Sequence, residues 1–457
     1  MGNVGESQCR NLTSLRRNPL ANVGCEQDSP MNRKTLSDRG HTDHQLAESA
    51  WQAWQRGDLA EAEHRYRTLL ERDDRNGLAH NNLANLLRQG GRFSEAEAHY
   101  CRALERMPDS AEIRNNRAGT LERLHRYEQA EIDYRRALEL KPEFAEARFN
   151  LGMLLLSDGR YSEGWGYYEA RSEVFGEHGQ LPLPQWDGQD LNGKTLLLLP
   201  EQGYGDTIQF IRYAPLLKER GAAKISVICK PVLAPLLRTV EGVDAVVTDP
   251  QALHAHDYWA SLMSLPLRLL TTVESIPARI PYVGVFANRM EMWQARLPSD
   301  GLRVGLVWKG NPSHDNDAQR SLNHFSELAP LWSINGIRFI SLQTGDAETQ
   351  ADECQALQPA LCLGGEIRDF GDTAAIVAQL NLVICVDTAL AHVAGALGVA
   401  CWLMLPQTGT DWRWHRTGTG SPWYPGNMYL FRHHQTGWPA LIDDVREALA
   451  DIMRGVR

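Results

Sequence analysis

The sequence predicts an α-solenoid of helical hairpins followed by two open, parallel α/β domains, and three observations predict it. Small and aromatic residues recur every 34 positions, four times over, between residues 43 and 174. Beyond them come two series of short apolar runs alternating with helical patterns, as parallel sheets require. The length of 457 residues suits several domains, at roughly 150 residues each.

Bulk properties narrow the function classes. With 43% hydrophobic and 23% charged residues the chain is an ordinary globular one. A formal net charge of -10 gives no support to nucleic acid as a partner, because binding a phosphate backbone needs a concentrated basic surface. No apolar run approaches the roughly 20 residues that cross a bilayer, so no membrane span is expected. Residues 1–41 are polar, lack a signal-type apolar core and read as a disordered leader. The eight cysteines are scattered without a C-x-x-C pair, which suits a reducing cytoplasm.

The repeat over 42–174 is read from three registers. Ala50, Ala84, Ala118 and Gly152 form one small position; Ala62, Ala96, Ala130 and Gly164 form a second. Tyr66, Tyr100, Tyr134 and Tyr168 follow four residues later on the same helix face. Gly57, Gly91 and Gly159 mark turns within repeats, and Pro108 and Pro142 mark the ends of second helices. These residues resemble the tetratricopeptide repeat. The resemblance implies a concave superhelix that binds a protein partner, with the small and aromatic positions serving packing. The first line has Leu69 and Asp74 where later lines have alanine and proline, as a capping repeat would. Asn81, Asn82, Asn115, Asn116 and Asn150 fall on first helices, either as a polar ladder or as solvated surface.

A connector over 175–193 leads to the run Thr195-Leu-Leu-Leu-Leu-Pro200, a buried strand. Glu201-Gln-Gly-Tyr-Gly-Asp206 then supplies a glycine turn before a helix starting near Thr207. Lys224 to Cys229 and Ala245 to Thr248 read as further strands of a first domain over 194–290. Arg303 to Trp308, Arg338 to Leu342, Leu380 to Val386 and Ala400 to Leu405 build a second over 300–457. Ligands of such sheets bind where loops gather at the carboxyl ends of strands.

Those loops carry Glu201-Gln-Gly-Tyr-Gly-Asp-Thr-Ile-Gln209, Val307-Trp-Lys-Gly-Asn-Pro312, Arg320-Ser321, Ser341-Leu-Gln343, Val386-Asp-Thr-Ala-Leu-Ala-His392, Asp411-Trp-Arg-Trp414 and Ser421-Pro-Trp-Tyr-Pro425. Together they resemble glycosyltransferase family 9, the heptosyltransferases, across most of residues 186–440, and more closely the bacterial proteins that fuse tetratricopeptide repeats to such a domain. The resemblance implies two Rossmann-like domains in the GT-B arrangement, with an acceptor side and a nucleotide-sugar donor side. It also implies a catalytic base at Asp206, since sugar transfer needs a group to take the acceptor hydroxyl proton. Asp206 is equally placed to cap the following helix. Gln202, Gly205 and Gln209 stand beside it as positioning residues.

On the donor side, helix N-terminal N–H groups at Thr388, Ala389 and Leu390 suit a nucleotide diphosphate. Asp387 would repel phosphate and so fits helix capping or sugar hydroxyls. His392, one turn into the helix, is by resemblance a donor contact and by default a core residue. Arg320 and Lys309 are candidates to neutralise the departing diphosphate, though a loop lysine commonly faces solvent. Asn311 fits a turn or a donor hydrogen bond, and Gln343 a base or ribose contact or a loop cap. The Trp- and Arg-rich stretch from Asp411 to Tyr424 suits a stacking wall or interdomain packing. Where the family leads one to expect an acidic pair before Ser421, this chain has Thr417-Gly-Thr-Gly420, which bears on donor identity.

Other classes fit less well. A dinucleotide fingerprint would need glycine at Ile208, and no phosphate-loop motif occurs. His433-His434 and the pair His254 and His256 lack companion ligands for zinc. Neither cofactor nor metal is expected. The favoured function is glycosyl transfer to a protein or glycan acceptor recruited by the repeats, an architecture resembling the O-linked N-acetylglucosamine enzymes. The alternative is a non-catalytic scaffold with a vestigial nucleotide-sugar site.

Overall fold

The computed structural model describes residues 33–176, 182–249, 251, 253, 255–314, 316–353, 360–433 and 437–455. Most of the expected leader, with Cys9 and Cys25, lies outside them, as do His254, Cys354 and His434. The described residues form two compact units: 33–154 with 173–175, and 155–172 with 176–455.

The first unit is helical. Helices α1 (Arg33–Gln55), α2 (Leu59–Arg72), α3 (Gly77–Gln89), α4 (Phe93–Arg106), α5 (Ala111–Arg123), α6 (Tyr127–Leu140) and the greater part of α7 (Ala145–Ser157) make up the hairpins. Helix α1 begins at Arg33, which corrects the expected leader over 33–41: no proline interrupts that stretch, and the helix continues through it. Asp58, Asn76 and Ser110 open α2, α3 and α5 by accepting backbone N–H bonds from Glu61, Ala79 and Ile113. The small positions Ala50, Ala62, Ala84, Ala96, Ala118 and Ala130 are all fully buried, letting paired helices approach closely. The left-handed turn residues are Gly57 and Gly91, and in the third repeat His125 occupies the same position at φ 58°. Asn150 Nδ2 donates to Asn115 Oδ1 at 3.0 Å, linking the first helices of adjacent repeats through two members of the asparagine series.

The second unit holds α8 (Tyr161–Tyr168) and two parallel sheets. The first sheet is ordered β3-β2-β1-β4, from β1 (Thr195–Leu199), β2 (Lys224–Ile228), β3 (Ala245–Val247) and β4 (Tyr258–Ser261). The second is ordered β10-β9-β8-β5-β6-β7, from β5 (Leu302–Val307), β6 (Ile337–Ser341), β7 (Ala360–Cys362), β8 (Leu382–Val386), β9 (Cys401–Leu405) and β10 (Met428–Arg432). The central strands β1, β8 and β9 are apolar nearly throughout because parallel sheets are covered on both faces. In each sheet the chain winds one way from a central strand, β1 or β5, and then crosses to its other side, which opens a crevice at the strand ends.

Helix α9 (Arg171–Phe175) ends the repeat region. Helices α10 (Tyr204–Phe210), α11 (Ala214–Glu219), α12 (Ala234–Leu237) and α13 (Leu265–Arg268) accompany the first sheet. Helices α14 (Ala287–Gln294), α15 (Asp317–Arg320), α16 (Thr349–Glu353), α17 (Phe370–Val377), α18 (Ala389–Leu397) and α19 (Trp438–Met453) complete the unit. The expected boundary at 290 falls inside α14. This helix is tied to α17 by Arg289, which pairs with Asp369 and with the buried carboxylate of Asp372 at 2.8 Å. A buried carboxylate needs such a partner.

Helix α8 is part of the α/β core rather than a free repeat helix. Trp165 and Tyr168 pack edge-on against Trp412, with ring centroids 5.3 and 5.6 Å away. Trp423 Nε1 donates to the Tyr161 hydroxyl at 2.9 Å, and Trp165 Nε1 to the Thr271 carbonyl at 2.8 Å. Arg171 is 1% exposed and forks onto both carboxylate oxygens of Glu201, at 2.6 and 3.0 Å. The aromatic stretch that suited either a sugar wall or packing thus packs extensively against α8.

Candidate functional site

The site grows from the end of β1. Gln202 takes a left-handed turn at φ 49°, and Gly203 caps α10. Helix α10 begins at Tyr204, which corrects the expected start near Thr207; Asp206 is then not the N-cap residue but the third helical residue, and its side chain caps the helix. From there its Oδ2 reaches back to accept the Gly203 N–H at 2.7 Å. Its Oδ1 accepts a hydrogen bond from Arg413. Burial raises the Asp206 carboxyl above its ordinary range, against the pull of Arg413.

Arg413 comes from the segment after β9 and received no role from sequence. It is 5% exposed, lies against the Phe210 and Trp412 rings, and also donates to Asp411 Oδ2 at 2.8 Å. Its signal in the sequence was the Asp-Trp-Arg-Trp run, which reads the same for packing as for a site.

Gly205 is where α10 meets α18. A Cβ there would stand 2.6 Å from His392 Cδ2, so only glycine permits the approach. His392 is buried, stacked on Trp414 with ring centroids 5.3 Å apart, and its Nδ1 is 2.8 Å from the Tyr424 hydroxyl. Burial, reinforced by Arg413 and Arg212, keeps its imidazole well below the ordinary histidine range and hence neutral. This geometry places His392 among packing partners. Gln209, on α10, is fully buried, and neither atom of its amide meets a hydrogen-bond partner among the described residues.

The other side of the crevice follows β5, β6 and β8. Thr388, not Asp387, is the N-cap of α18; its buried hydroxyl makes no capping bond. Ala389 and Leu390 open the helix, whose first N–H groups lack partners within it. Burial first, then the Asp411 carboxylate, pushes Asp387 up to about 6, against Arg320, the Trp414 indole and Arg413.

Arg320 ends α15 with its side chain 16% exposed, 3.5 Å from Asp317, and its guanidinium fills the space a side chain on Gly310 would take. Lys309 is half-buried just beyond β5. Gln343 is committed to the backbone: Oε1 accepts from the N–H groups of Trp308 and Lys309, and Nε2 donates to the Lys309 and Thr344 carbonyls. That matches the loop-capping alternative. Asn311 accepts the Ser313 N–H, which is turn chemistry.

The shift at Asp387 makes a stability prediction. A carboxyl has an unfolded value near 3.9, so between about 4 and 6 the folded chain keeps a proton that the unfolded chain releases. Folded stability therefore falls as pH rises through that window, leaving a penalty of about 1–3 kcal/mol above it. Asp387→Asn is expected to melt higher than the parent at pH 7.5, with the gain vanishing near pH 4. A constant difference at both pH values would contradict this.

Two family models match the chain: tetratricopeptide repeat over residues 48–111 and 115–171, and glycosyltransferase family 9 (heptosyltransferase) over residues 317–400. Among curated proteins, Protein FlbA of Caulobacter vibrioides is 30% identical over 325 residues, covering 65% of this chain and 54% of that protein. The chain thus spans about half the length of the curated relative it matches. Among solved structures, E. coli ADP-heptose lps heptosyltransferase II aligns over 57% of this chain and 98% of its own, at 14% identity and TM-score 0.43. The glycosyl transferase family 9 from Veillonella parvula aligns over 58% and 91%, at 10% identity and TM-score 0.40. The chain carries tetratricopeptide repeats followed by two parallel α/β sheets, of which the segment 317–400 matches glycosyltransferase family 9 (heptosyltransferase).

Proposed function

We propose that the α/β unit transfers a sugar from a nucleotide-diphosphate sugar to a hydroxyl of a protein or glycan acceptor, and that the repeats recruit the acceptor or a protein partner. The observation that carries this reading is the approach of α10, bearing Asp206, to α18, whose N-terminus is a ready anion site. In this scheme Asp206 accepts the acceptor hydroxyl proton as the new C–O bond forms and the diphosphate departs with the bonding electrons. Arg320 and Lys309 stabilise the charge that develops on the leaving group. Thr388, Ala389 and Leu390 hold the diphosphate, and Asp387 addresses sugar or ribose hydroxyls. Arg320 and Asp387 both lie within the family-matched segment, which supports a donor side there.

The repeats favour an extended peptide acceptor over a lipid sugar. Among the described residues no helix is long and apolar enough to cross a membrane, and we place the activity in the cytoplasm. The test is a thermal-shift screen against UDP, GDP, ADP and TDP sugars and CMP sugars, with Asp387→Ala and Arg320→Ala alongside. A rise in Tm with one nucleotide family, lost in both variants, is expected, because a ligand stabilises the state it binds. No shift with any donor favours the scaffold alternative. We also propose that no metal is needed: turnover should be unchanged in excess chelator, and its loss would reject that part of the scheme.

A further inference from the structure

We propose that Arg413 is a positioning residue that aims the Asp206 carboxylate for proton transfer. This rests on the reading of Asp206 as the base. Arg413 is a nearly inaccessible cation whose own orientation is fixed before substrate arrives. Asp411 holds it from two directions, accepting the Arg413 backbone N–H at 2.9 Å and the guanidinium Nη1 at 2.8 Å. The Phe210 and Trp412 rings lie 5.4 and 4.7 Å from the guanidinium carbon, and such contacts restrain a guanidinium in its plane. Nη2 is then delivered to Asp206 Oδ1.

The consequence for Asp206 is a carboxylate pinned at both oxygens, Oδ1 by Arg413 and Oδ2 by the Gly203 N–H. Each oxygen keeps a further lone pair, so the group can still accept a proton, in a direction set by the protein. Burial disfavours the charged form of this carboxyl, and the adjacent guanidinium favours the ionised, proton-accepting form. The charged groups that bear on Asp206 are Arg413, Asp411 and Glu201, while Arg413 also bears on Asp387, Tyr168 and His392. Asp206, Arg413 and Asp411 together carry one net negative charge, which the acceptor proton cancels as the new bond forms.

The experiment has two readouts. Carboxyl titration of the full-length protein by carbon NMR with labelled aspartate, assigned by difference from Asp206→Asn, needs no substrate. In Arg413→Gln the Asp206 midpoint should rise by about one pH unit or more. Arg413→Lys, which keeps a cation and is the safer variant for folding, should give a smaller rise. The second readout is nucleotide release from the sugar donors named above: kcat should fall in Arg413→Gln, be partly restored in Arg413→Lys, and the donor KM should stay within about threefold. An unmoved midpoint in a folded variant overturns the proposal, as does a loss carried by KM alone. If Asp206→Asn keeps full activity while the midpoint still moves in Arg413→Gln, the base assignment falls, and this proposal with it, although the contact is real.

Discussion

Asp206→Asn is expected to lower kcat by about 10²- to 10⁴-fold, the usual contribution of a positioned general base, with little change in the Tm shift produced by the donor. The prediction follows from where the residue sits. At the third position of α10 its backbone is helical and its Oδ2 accepts the Gly203 N–H, a bond an asparagine oxygen can also accept. The substitution therefore keeps the Gly203 bond of the turn while removing the proton acceptor, at the cost of turning an amide nitrogen toward Arg413. Because burial raises the carboxyl above its ordinary range, the acid limb of kcat/KM in the parent should lie above that of a free aspartate, and activity should fall as pH drops through it. Activity retained in Asp206→Asn within about threefold, far short of that loss, would move the base elsewhere.

The legible parts of this molecule were those whose sequence signal is local. The central strands β1, β8 and β9 are apolar nearly throughout and β2, β5 and β6 mostly so, and the expected runs coincide with them to within a residue or two. The strands not foreseen, β4, β7 and β10, all lie at sheet edges, where three to five residues of mixed character suffice. The onset of α10 was obscured because Gly203-Tyr-Gly205 reads as a turn. Its second glycine is needed for contact with His392, 187 residues on in sequence, not for the turn.

Arg413 was illegible for a related reason. Its partner Asp206 is 207 residues away, and only folding brings the ion pair together. Asn311, by contrast, is satisfied by the backbone of its own loop, and Gln343 by that of the neighbouring loop after β5, 34 and 35 residues earlier. Residue type and loop position alone do not separate a side chain spent on its loop from one facing substrate.

Arg171→Met is expected to destabilise the α/β unit by about 3–5 kcal/mol, a cost typical of stripping one partner from a buried ion pair. Glu201 would be left with its carboxylate 2% exposed at the end of β1, bonded to Ser261 but without the two-pronged cation that balances its charge. Ser264 loses a donor at the same time, since Arg171 Nη2 also reaches its hydroxyl at 2.7 Å. The double variant Arg171→Met with Glu201→Gln should recover most of the loss, because the fully buried carboxylate is then neutral, while Glu169, the other carboxylate on Arg171, is a quarter exposed and keeps Arg268 at 3.5 Å. Urea unfolding of the four members of this cycle gives the coupling directly. A large coupling, with the double variant far less destabilised than the sum of the single variants, locates the cost in the stranded carboxylate. Additive losses would instead mean that the Arg171 side chain matters as packing against Tyr168, whose ring centroid lies 5.0 Å from the guanidinium carbon. Glu201 stands five residues before Asp206, so a stranded carboxylate that pulls toward water would also disturb the turn into α10. The single variant should therefore lose more activity than its remaining folded fraction explains, and the double variant should regain it.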